Sequence, residues 1–100
     1  MLRISIEETV EALEMKLEGR VAGPWAEELG RVWVETAQRL ASRKLILDLS
    51  SVTYADAVGT RALIEIYAQT RAEVLAGTVW TQSLANQITH GETQTNHQEL

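Results

Sequence analysis

One hundred residues, 45% of them hydrophobic, are enough for one compact domain and too few for two. Nine Lys and Arg against fourteen Asp and Glu leave a net charge of −5, the wrong sign for gripping a phosphate backbone, so nucleic acid is not an expected partner. Cysteine is absent, which removes disulfides and thiolate chemistry, and no apolar run approaches the roughly 20 residues that cross a bilayer, so a cytoplasmic, non-embedded protein is expected.

Leu2, Ile4 and Ile6 alternate with Arg3 and Ser5, and Leu13, Met15 and Leu17 alternate with Glu14 and Lys16, which predicts two half-buried strands joined as a hairpin. A rival reading joins Ile6 to Leu17 as one helix, since Ile6, Val10, Leu13 and Leu17 also fall near helical spacing. After a break at Gly19 to Gly23, Pro24 suits a first helical position. Trp25, Leu29, Val32, Thr36 and Leu40 then mark the apolar stripe of a helix.

Leu45, Ile46, Leu47 and Leu49 read as a central strand covered on both faces, followed by a short polar loop. Helices before and after it predict a parallel crossover. Asp56 suits an N-cap, with Val58, Ala62, Leu63, Ile66 and Tyr67 as the buried stripe of a helix ending near Thr70 to Ala72. Glu73 to Ala76 predicts a short strand, and Trp80, Leu84 and Ile88 a last helix. The expected domain is 1–89. The polar run 90–100 lacks the apolar surface to offset chain entropy and is expected to be a disordered tail.

Candidate chemistry is sparse. His90 and His97 lie in that polar run with no Cys or carboxylate cluster to complete a coordination set, so neither a metal site nor a cofactor is expected. No Gly-x-Ser-x-Gly elbow exists, and GRVAG lacks the Lys and Thr of a P-loop. Asp48 superficially resembles the phospho-acceptor of response-regulator receivers, with Glu7 and Glu8 imitating their acidic pair, but no Lys follows Lys44; the plainer reading is a hydrogen-bonded carboxylate beside a loop. Trp25 and Trp80 suit rings that cover the sheet, whereas Trp33, off the main stripe, is either a second core face or an exposed anchor for another protein.

The segments LEMKLEGRV and LILDLSSVTYADAVGTRALIEI resemble the STAS domain, the sulfate transporter and anti-sigma factor antagonist family, over roughly Leu2 to Ile88. The resemblance implies an α/β fold, a mixed sheet of about four strands packed by two to three helices. In bacterial anti-sigma antagonists a Ser or Thr of an Asp-Ser-Ser/Thr-Gly motif is phosphorylated by the partner kinase, and the added charge breaks the docking surface. Asp56 and Gly59 match that motif, but its hydroxyl positions hold Ala57 and Val58, and Thr60 is one step out of register.

By resemblance, then, the chain is expected to be non-enzymatic. It would dock an anti-sigma factor or serine kinase-like partner through Tyr54, Asp56, Ala57, Val58, Gly59 and Thr60, with the phosphorylation position lost at Ala57 and Val58. A small-ligand-sensing or transporter-associated regulatory subunit is the alternative. The family commonly continues through another strand and helix after the segment matching Ile88. The expectation here is an uncovered sheet edge, or a homodimer in which a second copy supplies the cover.

Overall fold

In the computed structural model, which describes residues 1–90, a pair of strands is followed by alternating helices and strands. They run β1 (Leu2–Glu8), β2 (Ala12–Val21), α1 (Pro24–Leu40), β3 (Lys44–Ala55), α2 (Ala57–Thr70), β4 (Glu73–Leu75) and α3 (Val79–Thr89). His97 and the rest of the expected polar tail beyond His90 lie outside the described residues.

The strands form one sheet in the order β1-β2-β3-β4. β1 pairs antiparallel with β2, turning at Thr9, whose N–H and hydroxyl both hydrogen-bond to the Ala12 carbonyl. The hairpin reading therefore holds and the single-helix alternative does not. Ile6 faces Met15 and Ile4 faces Leu17 across the ladder, a register that puts the apolar residues of both strands on one face.

β2 and β3 are parallel through α1, and β3 and β4 are parallel through α2. The helices of both crossovers pack on one face of the sheet, as connections of the same hand stepping the same way require. That face buries Leu13, Met15, Leu17, Leu45, Leu47 and Leu49 against Leu29, Trp33, Leu63, Ile66, Leu84 and Ile88. None of the described helices is long and apolar enough to cross a membrane.

Several expectations need correction. β3 is not covered on both faces: Ile46, Asp48 and Ser50 alternate with the buried leucines and are only half-buried, so the far side of the sheet is polar and open. β3 also runs on to Ala55, so the expected polar loop from Ser50 is strand. Asp48 accepts hydrogen bonds from the Ser50 N–H (3.0 Å) and hydroxyl (2.7 Å), but in mid-strand rather than beside a loop. Glu7 and Glu8 point to opposite faces, as successive strand residues must, and Glu8 is held by Arg39 and Arg43. They form no acidic pair.

The helix stripes are rotated from their expected positions. α1 buries Ala26, Leu29, Trp33 and Thr36 and leaves Trp25 at the surface. Trp33 is thus a core residue, with its indole N–H donating to Gln69 Oε1 at 3.1 Å, and the exposed-anchor alternative falls. α2 buries Gly59, Leu63 and Ile66 while Val58 points outward. α3 buries Thr81, Leu84, Ala85 and Ile88, leaving Trp80 at the rim.

Candidate functional site

The carboxyl ends of β2 and β3 meet the amino ends of α1 and α2 at one corner of the sheet, and Asp56 ties them together. Its Oδ1 accepts the Gly59 N–H at 2.7 Å, the bond that caps α2. Its Oδ2 accepts the Gly23 N–H at 3.0 Å, from the loop that opens α1. One short side chain therefore fixes both helix entrances.

The loop geometry depends on two glycines. Gly23 sits at φ 57°, a left-handed conformation that L side chains rarely adopt, and so presents its N–H to Asp56. Gly59 is buried against the last residue of β2: a Cβ there would overlap the Val21 carbonyl oxygen, with the carbonyl carbon at 2.8 Å. The same oxygen accepts the Asp56 N–H at 3.3 Å. The backbones of β2 and α2 touch because residue 59 carries no side chain.

Both N–H donors to Asp56, Gly59 first and Gly23 second, favour its charged form and hold the carboxyl below the ordinary 3.8. A carboxylate whose pKa is depressed in the fold adds stability that is complete above the unfolded value and is lost as pH falls through the folded one. Asp56→Asn should therefore destabilise the protein at neutral pH, because an amide that keeps one acceptor turns an N–H toward the other donor. The gap between wild type and variant should narrow as pH drops below about 4, in the range set by the ordinary aspartate pKa. Urea unfolding midpoints from pH 3 to pH 7 check this; a gap independent of pH would contradict it.

Around this hydrogen-bonded corner several apolar side chains are exposed. Val58 is 59% exposed, Tyr54 43% and Trp25 38%, and Ala57 is also exposed. The Arg20 guanidinium lies over the Tyr54 ring, 4.8 Å from its centroid, which steadies the ring from the β2 side. Of the residues singled out from the sequence, Tyr54, Ala57 and Val58 form the outer skin of the corner. Asp56 and Gly59 form its frame, and Thr60 is half-buried behind them.

Sequence reasoning missed Arg20, Gly23 and Trp25 here, which come from the end of β2, the connection after it and the first turn of α1. The parallel pairing of Arg20 with Tyr54 and of Val21 with Ala55 is what brings them there. The signal was the strand ending in Gly-Arg-apolar, whose register with β3 is not visible in one segment alone.

Elsewhere a small depression on the open sheet face is lined by Ser5, Glu7, Glu14, Lys16 and Asp48. Among the described residues, no three His, Asp or Glu side chains gather to hold a metal ion. The corner thus carries exposed apolar side chains on a hydrogen-bonded frame.

Comparison with known proteins yields one result. A family model described as the STAS domain matches residues 3–76, from β1 through β4. No curated protein matches the chain.

Proposed function

We propose, because the chain belongs to the STAS domain family, whose members are regulatory or protein-interaction modules, that it docks an anti-sigma factor or serine kinase-like protein through Tyr54 to Thr60. In this reading it is a cytoplasmic binding protein without turnover. The observation that carries it is the outward-facing Val58 at the start of a capped, rigid helix, at the position where phosphorylated relatives by motif carry a hydroxyl.

The physical argument concerns what a phosphate would do there. A phosphoserine in the first helical turn adds close to two negative charges and a tightly held hydration shell, which a partner's apolar patch cannot desolvate. Ala57 and Val58 accept no phosphate, so the surface stays in its docking state whatever the kinase does. Control of the complex then comes from the amount of protein, or from events on the partner.

The test pairs the chain with an anti-sigma kinase from the same genome, with and without ATP. The expected result is a complex of equal affinity in both conditions and no phosphate on residues 57, 58 or 60 by peptide mass spectrometry. Release of the partner on adding ATP, with phosphate on Thr60, would overturn the proposal.

A further inference from the structure

The helix that follows the family match differs from the others in its charge. α1 displays Glu27, Glu28, Arg31, Glu35 and Arg39, and α2 displays Arg61 and Glu65, whereas α3 (VWTQSLANQIT) contains no charged residue. Its inner side is filled by Thr81, Leu84, Ala85 and Ile88. Its outer side presents Val79, 90% exposed, beside Trp80, 43% exposed, followed by Gln82, Ser83, Asn86 and Gln87. Val79, Gln82, Ser83 and Asn86, with residues 76–78 just before them, line a shallow, open depression of about 570 Å³.

We infer that this face binds a second copy of the chain, α3 against α3, in a two-fold homodimer. A two-fold contact sets the same patch against itself, so every ionised group near its centre would meet its own kind. Each copy also carries a net charge of −5, which opposes self-association except where the meeting surfaces are uncharged. α3 meets that condition.

Its polar groups are also self-complementary. Carboxylates only accept and ammonium groups only donate, but amides and hydroxyls do both, so Gln82, Ser83 and Asn86 can pair with the same residues of another copy. Gln82 Nε2 already donates to Asn86 Oδ1 at 3.3 Å, and both exposed amides keep further donors and acceptors for an outside partner. Val79 and Trp80 supply the apolar anchor that such an interface needs. The frame beneath is firm: Thr78 and Thr81 form a reciprocal capping box that fixes the start of α3. This inference does not rest on the docking reading of Tyr54 to Thr60, since the two surfaces share no residue.

Sedimentation velocity of the full chain over a concentration series tests it, alongside Ser83→Glu and Ser83→Lys. Residue 83 is exposed, so both variants keep the fold, which circular dichroism verifies. The wild type should sediment as a dimer of the 11.1 kDa chain at high concentration. Each variant alone should dimerise at least about thirtyfold more weakly, and a mixture of the two should recover association through opposite charges meeting across the axis. A wild type that stays monomeric throughout overturns the inference. So does a Ser83→Glu protein that dimerises as well as the wild type, which would place the contact on another face.

Discussion

Gly59→Ala is expected to lower the stability of the protein by about 3 kcal/mol or more, enough to drop the melting temperature by more than about 10 °C for a domain of this size. The new methyl would overlap the Val21 carbonyl oxygen and approach Val21 Cγ1 to 3.0 Å. Neither obstacle is free to move: Val21 is the last residue of β2, paired with Ala55 of β3, and its carbonyl accepts the Asp56 N–H. Relief requires α2 to lift from the sheet, which opens the core around Leu63 and Ile66. Gly30→Ala is the internal control. Gly30 lies in the middle of α1 with open space where a Cβ would go, so the same change there should stabilise by up to about 1 kcal/mol through helix propensity. Guanidinium unfolding of both variants checks the pair, and equal effects at the two glycines would refute the packing argument.

Val58→Glu is expected to weaken binding of the proposed partner about a hundredfold while leaving the fold untouched. The side chain is 59% exposed at the second position of α2, where a carboxylate interacts favourably with the helix N-terminus, so thermal stability should hold or rise slightly. In the complex the same carboxylate would be buried against an apolar surface without a partner charge. That costs at least about 3 kcal/mol, roughly a hundredfold in Kd. Isothermal titration against the partner, with differential scanning fluorimetry of the free variant, separates the two effects. Unchanged affinity would remove Val58 from the docking surface.

Much of the fold was legible because alternation and helical spacing are local signals. The hairpin follows from Leu2 to Leu17, the parallel crossover from apolar β3 flanked by helices, and the N-cap from Asp56 ahead of α2. What misled was rotation and length. Trp25 and Leu29 seemed to define the stripe of α1, but the sheet lies under Ala26, Leu29, Trp33 and Thr36, a face set by where β2 delivers the chain into the helix. β3 carries polar residues from Ser50 to Ala55 because its outer face meets water and its end needs only Val52 inside, so a strand read as a loop. At the corner, Asp56 and Gly59 were readable as a spacing, whereas the Gly23 N–H that Asp56 also captures comes from 33 residues away and leaves no local trace.

Hydrogen–deuterium exchange of the chain alone and mixed with the kinase-type partner proposed above, with and without ATP, tests the central claim most directly. Protection centred on residues 54–60 and extending to 20–25, the same in both nucleotide conditions, is the predicted result. Protection confined to α1 or to the open face of the sheet, or a footprint at 54–60 that vanishes with ATP, would contradict it.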